Sequence, residues 1–238
     1  GRPVMGAPVS SAGMEEAELC RLAACLHAGG TRTLGLGMSL GDLCMDEGFY
    51  PAVFAQLAVA AARLREKSGL TGRIFDLGGG FGVSCRPDCP GPDLSACAAA
   101  LRAQTCALPE ALQGVQLSMS PGRFLAAGGG VLVCRVVAVK PGPTAVLDVS
   151  AAQCLRLEKR GAYHAAAALR TAGRPPLLQQ LTALEQGAPF ARQVLPQLRV
   201  GDPVVIRMLG ADGRSFSCAS ERCPAYLLRA DGTIEPIE

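Results

Sequence analysis

Three consecutive glycines stand directly after a short apolar run, in Arg73-Ile74-Phe75-Asp76-Leu77-Gly78-Gly79-Gly80-Phe81-Gly82. Such a run stops an extended segment, because glycine weakens a strand and opens the positive-φ region to the backbone. It also leaves main-chain N–H groups uncovered, so an anionic group such as a phosphate can approach them closely. Further along, Ser120-Pro121-Gly122-Arg123 reads as a turn carrying a guanidinium, whose planar donor fork suits phosphate oxygens. Either element alone is an ordinary turn. Together they make Gly78, Gly79, Gly80 and Arg123 the candidate anion-binding residues.

The flanking pattern alternates helix and strand. Residues 14–27 place Leu19, Leu22, Ala23 and Leu26 at helical spacing, with Ser11 as N-cap, glutamates in the first turn and Gly29-Gly30 as a stop. Residues 33–38 read as a strand. A second helix over 47–67 carries Phe49, Val53, Leu57, Ala61 and Leu64 on one face and ends at Gly69. Asp93 caps an alanine-rich helix to Cys106, and 115–119 form the next strand. This order implies right-handed crossovers and a parallel sheet.

After Gly130 the texture changes to strand-like runs at 131–140, 145–149, 204–208, 216–218 and 225–228, punctuated by Pro-Gly and Asp-Gly pairs. The expected organisation is an α/β part over 1–130 and a mostly antiparallel β domain over 131–238. Residues 174–187 stand apart. Pro175-Pro176, then Leu177, Leu178, Leu181 and Leu184, then Gly187, predict a helix there.

The chain has 238 residues, about half of them apolar, which suffices for one large or two small cores. A formal charge of +3 with no long basic run argues against nucleic acid or an anionic membrane as partner. No apolar stretch is long enough to span a bilayer, and Gly1-Arg2-Pro3-Val4 does not begin a secretory signal. Eleven cysteines without a Cys-x-x-Cys pair read as reduced thiols of a cytoplasmic protein and argue against a zinc site, and two histidines exclude a multi-histidine centre.

The succession Leu34-Gly35-Leu36-Gly37-Met38-Ser39-Leu40-Gly41-Asp42, a long helix, the glycine motif, Pro-Gly-Arg, Asp148 through Arg156 to Gly161-Ala162-Tyr163-His164, Val200-Gly201-Asp202 and Gly210-Ala211-Asp212-Gly213 resembles one family. It is that of the pyridoxal-phosphate-dependent ornithine, diaminopimelate and arginine decarboxylases, with an alanine-racemase-like fold. The resemblance covers nearly the whole chain and only the later part of the family. It implies the closing strands of a TIM-like (β/α) barrel, since a complete one takes roughly 200–250 residues, followed by the family's β domain.

The resemblance also implies pyridoxal phosphate as cofactor, held weakly or not at all. The family's covalent lysine lies upstream of everything here, and Lys67, Lys140 and Lys159 fall in no matching motif. Ser120 stands where the family has the glutamate that keeps the pyridine nitrogen protonated, and a serine cannot hold that charge. Ser39 replaces the ring-stacking histidine, and Asp42, replacing a serine, would repel a phosphate. Asp148, Arg156, Tyr163 and His164 match substrate-side positions, of which Arg156 and Tyr163 are the candidate substrate-binding residues. Arg160 replaces a tyrosine, Asp212 another, and Ser220-Glu221 a phosphate-holding Tyr-Asn pair; Glu185 is the nearest remnant of the Cys-Glu-Ser-x-Asp loop.

Scaffold positions persist while chemistry-bearing ones do not. The expectation is therefore a decarboxylase-like pseudoenzyme with no catalytic residue of its own. It would act by protein–protein interaction as a homodimer or as a heterodimer with a related decarboxylase chain, by analogy with the antizyme inhibitors of polyamine metabolism. The alternative is an ornithine-type decarboxylase of putrescine and polyamine biosynthesis whose N-terminal half is absent here.

Overall fold

The computed structural model describes residues 13–39, 44–84, 86, 88–150, 163–184, 189–211 and 223–237. The chain divides into two compact units, Gly1–Val83 with Pro90–Phe124, and Ser84–Cys89 with Leu125–Glu238.

The first unit alternates as its periodicity dictates. Helix α1 (Glu16–Ala28) leads to β1 (Thr33–Gly37), α2 (Phe49–Ser68), β2 (Thr71–Asp76), α3 (Leu94–Cys106) and β3 (Gln116–Ser118). The three strands form one parallel sheet in the order β1-β2-β3. Pro51 in the first turn of α2 forfeits an N–H that has no helical partner there. Gly69 closes the helix in the left-handed region at φ 78° and donates to the Arg65 carbonyl. Asp93 caps α3 by accepting from the Ala96 N–H at 3.0 Å. The N-cap of α1 is Glu15, without a side-chain bond, and Ser11 lies outside the described residues.

One face of the sheet is covered by α2. Tyr50, Val53, Phe54, Leu57, Ala61 and Leu64 bury against Leu36 and Phe75, a wider helical stripe than the sequence spacing marks. The other face carries Gly35, Gly37, Ile74, Asp76, Gln116 and Ser118, and only Ile74 among these is a large apolar residue.

The second unit is built on a six-stranded sheet in the order β6-β9-β4-β5-β7-β8. Its strands are β4 (Leu132–Lys140), β5 (Thr144–Leu147), β6 (Ala166–Ala168), β7 (Pro176–Thr182), β8 (Pro189–Pro196) and β9 (Pro203–Ile206); β10 (Ala225–Leu228) and β11 (Ile234–Ile237) form a separate hairpin. All pairs are antiparallel except β5 with β7. Val136, Leu147, Leu181, Val204 and Ile206 are fully buried in its core.

In place of the helix expected over 174–187, the described residues form the strand β7. Gln179, Leu181 and Ala183 alternate inward at 2%, 0% and 2% exposure, and pairing with β5 and β8 satisfies both edges of the segment. The leucine spacing that suggested a helix is overridden by this period of two. Gln179 tolerates burial because its amide donates to the Leu195 and Pro196 carbonyls and accepts from the Leu198 N–H. The strand expected at 216–218 lies outside the described residues.

Candidate functional site

The glycine loop follows β2 and is held by its carbonyls. Gly78 O accepts from the Ser120 N–H at 2.9 Å, Gly79 O from the Tyr50 hydroxyl at 2.9 Å, and Gly80 O from the Cys44 N–H at 2.8 Å. The Gly78 N–H is taken by the Asp76 carboxylate at 2.9 Å. The N–H groups of Gly79, Gly80 and Phe81 donate to no acceptor among the described residues. Three carbonyls turned onto the protein leave three donors for water or a ligand.

Glycine is required here for two separate reasons. Gly78 and Gly80 have φ of +73° and +85°, a region costly for side chains. A Cβ would also lie 2.6 Å from the Met38 carbonyl oxygen at Gly78, 2.7 Å from that of Ser120 at Gly79, and 2.7 Å from that of Cys44 at Gly82.

The same contact that crowds Gly79 brings in Arg123. Ser120 bonds back to Gly78, Gly122 N donates to Ser120 O at 2.8 Å, and the chain then enters the short helix α4 (Gly122–Ala126). Arg123 therefore sits in a helical turn rather than in an open Pro-Gly-Arg turn. Phe124, beside it, packs on Phe81 with ring centroids 6.0 Å apart. The residues present fit a phosphate: backbone donors, a guanidinium on the adjoining turn, and no described carboxylate placed on the three open N–H groups. Asp42, the expected opposing charge, lies outside the described residues.

The pyridine-side and covalent groups do not join this cradle. Ser120 is exposed, and its carbonyl, not its hydroxyl, faces the loop. Lys67 pairs with Glu16 at 3.0 Å on the surface of α1 and α2, Lys140 is exposed at the end of β4, and Lys159 lies outside the described residues.

Of the substrate-side candidates, Arg156 lies outside the described residues, and so do Arg160, Glu185, Asp212, Ser220 and Glu221. Tyr163 belongs to the second unit. Its hydroxyl donates to Gln193 Oε1 at 3.2 Å and the Arg86 guanidinium carbon stands 5.0 Å from its ring centroid. Asp148 and His164 serve the backbone: Asp148 Oδ1 accepts from the Arg135 N–H at 2.6 Å, and buried His164 places Nδ1 3.1 Å from the Arg207 carbonyl oxygen.

Three residues that sequence reasoning missed organise these positions. Tyr50 holds the glycine loop. Gln193 accepts from Tyr163 and from the Ala166 N–H at 2.7 Å, and donates to the His164 carbonyl at 2.8 Å. Because Ala166 is on β6 and Gln193 on β8, this side chain bridges the two ends of the six-stranded sheet and nearly closes it. Arg174 grips Asp202 through both carboxylate oxygens, and that bond, despite burial, lowers the Asp202 pKa; the Arg199 N–H adds to it at 2.7 Å. A glutamine inside a strand and a tyrosine at a helix start carry no motif that flags such a role.

A parallel α/β unit with a glycine-rich loop after its second strand, and a β unit, define a class also seen in known proteins. Residues 13–127 match the model of the pyridoxal-dependent decarboxylase family, specifically its pyridoxal binding domain. The chain is 32% identical over 193 residues to diaminopimelate decarboxylase of Campylobacter jejuni, covering 77% of this chain and 46% of that protein. It is 31% identical over 232 residues to Protein TabA of Pseudomonas amygdali pv. tabaci, covering 93% and 54%. The fold is shared with diaminopimelate decarboxylase of Helicobacter pylori complexed with L-lysine, at a TM-score of 0.76 and 23% identity over 94% of this chain and 56% of that one. It is also shared with AQ1208 from Aquifex aeolicus, at 0.79 and 18% over 94% and 56%.

Residues 13–127 belong to the pyridoxal-dependent decarboxylase family, whose cofactor is pyridoxal phosphate. Within it, the relatives point to the diaminopimelate/ornithine-type branch, and the chain spans about half the length of the curated relatives it matches.

Proposed function

We propose that this chain is the phosphate-holding later half of a diaminopimelate/ornithine-type decarboxylase barrel together with its β domain. It binds pyridoxal phosphate through the N–H groups of Gly79, Gly80 and Phe81 and through Arg123, and does not catalyse decarboxylation by itself. The observation that carries the reading is the pinning of three successive carbonyls, which leaves those donors for an anion. Bound pyridoxal phosphate supplies an electron sink for an amino acid losing its α-carboxylate. Toward that chemistry the chain orients and holds. Ser120 offers a hydroxyl where a charge is needed, and neither described lysine belongs to the cradle.

By the family resemblance Tyr163, whose hydroxyl donates to Gln193, and Arg156 are the candidate substrate-binding residues. The remaining barrel strands, with a covalent lysine, come from further polypeptide or from a related decarboxylase chain in a heterodimer, in a cytoplasmic setting. Among the described residues no helix is long and apolar enough to cross a membrane. A second reading, favoured by Ser120, is a purely regulatory pseudoenzyme that binds a regulator in place of an active decarboxylase, by analogy with the antizyme inhibitors of polyamine metabolism.

Calorimetry with pyridoxal phosphate and with pyridoxal tests the first reading. The phosphate ester binds more tightly in wild type, and Arg123→Ala removes most of that difference. Borohydride reduction followed by peptide mapping labels no lysine stoichiometrically. Equal affinity for the two ligands, or stoichiometric labelling of one buried lysine, contradicts it.

A further inference from the structure

The glycine loop is held by backbone donors at two of its carbonyls and by a side chain at only one. Gly78 O and Gly80 O accept from main-chain N–H groups, whereas Gly79 O accepts from the phenol of Tyr50. In a trans peptide the C=O and N–H point in opposite directions. The bond that fixes the Gly79 carbonyl therefore also fixes the Gly80 N–H, away from Tyr50. Glycine on both sides of this peptide leaves its orientation weakly restrained by sterics. A flip would set a carbonyl oxygen where an anion needs a donor.

Tyr50 is built to resist that flip. It stands in the first turn of α2 and is 2% exposed. Its ring stacks on Phe81 with centroids 3.9 Å apart and an 11° interplanar angle, and Phe49 meets it edge-on at 5.1 Å. Phe81 is the residue that ends the glycine triplet, so one side chain grips the loop twice, by hydroxyl and by ring. Phe81 also packs on Phe124, the neighbour of Arg123. Burial pushes the Tyr50 phenol well above its ordinary range, with the Cys44 and Cys97 thiols adding to the effect, so it keeps its proton and stays a donor.

We infer that Tyr50 is a positioning residue of the anion cradle: acting through the Gly79 carbonyl, it keeps the Gly80 N–H directed at the phosphate of a bound phosphate monoester. This rests on the cofactor-phosphate reading above.

The full chain is titrated with pyridoxal phosphate, inorganic phosphate and pyridoxal, as wild type, Tyr50→Phe and Phe81→Leu. Affinity is followed by calorimetry, and the amide resonances of Gly79, Gly80 and Phe81 by NMR. Tyr50→Phe keeps the stack and removes one hydrogen bond. It weakens both phosphate ligands roughly three- to tenfold, leaves pyridoxal unchanged and abolishes the Gly80 shift on saturation. Phe81→Leu lowers the melting temperature yet retains the Gly80 response. If Tyr50→Phe matches wild type in phosphate affinity and in the Gly80 shift, the inference falls and the cradle stands. If the two variants weaken phosphate binding equally, Tyr50 contributes packing alone and the inference again falls. A wild type that binds pyridoxal phosphate no better than pyridoxal overturns the cradle itself, and the inference with it.

Discussion

At the scale of single residues, the consequential side chains are those that satisfy backbone groups. Gln193 serves the Ala166 N–H, the His164 carbonyl and the Tyr163 hydroxyl at once. Gln193→Leu strands two backbone groups and a phenol, and at about 1–3 kcal/mol for each buried group left unpaired it destabilises the second unit by about 2–4 kcal/mol. Urea unfolding measures this, and a loss within half a kcal/mol of zero would mean water replaces the glutamine. Gly79 makes a contrasting case, because its φ is not in the left-handed region. Gly79→Ala costs about 1–3 kcal/mol from one contact, its Cβ against the Ser120 carbonyl oxygen. Chemical denaturation reads the cost, and a neutral Gly79→Ala would show that the β3-to-α4 turn yields freely.

Element by element, what was legible in the sequence is what local periodicity decides. The spacing of Val53, Leu57, Ala61 and Leu64, the cap at Asp93 and the stop at Gly69 place α2 and α3 within two residues of their observed ends. The glycine loop follows β2 and lies beside the Ser120 turn as the motif order implied. The misread element is β7, where four leucines at helical spacing lost to inward alternation of Gln179, Leu181 and Ala183 and to long-range pairing. β6 and β8 were missed because Ala166–Ala168 carries little β preference and a glutamine, Gln193, stands among the inward residues of β8 between Phe190 and Leu195. No local rule shows that such a glutamine will find three partners.

The link from Arg174, just before β7, to Asp202, just before β9, yields a pH prediction. Asp202 has a folded pKa below its ordinary 3.8, held down first by the Arg174 bond. Its stabilisation is therefore complete above the unfolded value and is lost as pH falls through the folded one. Unfolding free energy measured between about pH 2 and pH 6 declines on the acid side. Asp202→Asn is less stable at neutral pH with a flatter acid limb, and an unchanged limb in that variant would remove Asp202 from the acid response.

For the molecule as a whole, two cores without shared residues predict separable damage. Leu57→Ala and Ile206→Ala each open a cavity costing about 2–5 kcal/mol. In hydrogen exchange the first lowers protection across β2 and the second across β4 and β9; equal loss in both units from either variant would mean that they unfold as one. The surface predicts association. Val133, Val137 and Val139 on β4, with Tyr226, Leu228 and Ile234 on the hairpin, are large apolar residues in the open. Sedimentation at several concentrations resolves a species heavier than one chain, whereas a monomer at all concentrations refutes this.

The crowding around the glycine loop has one more implication, for descent. Carbonyl oxygens of Met38, Ser120 and Cys44 occupy the space a side chain would need at Gly78, Gly79 and Gly82. Selection for a folded unit therefore favours those glycines whether or not a ligand is bound. The triplet is thus a fossil of the architecture. The record of lost or retained chemistry is written instead at Arg123, at Ser120 and in the single oxygen of Tyr50.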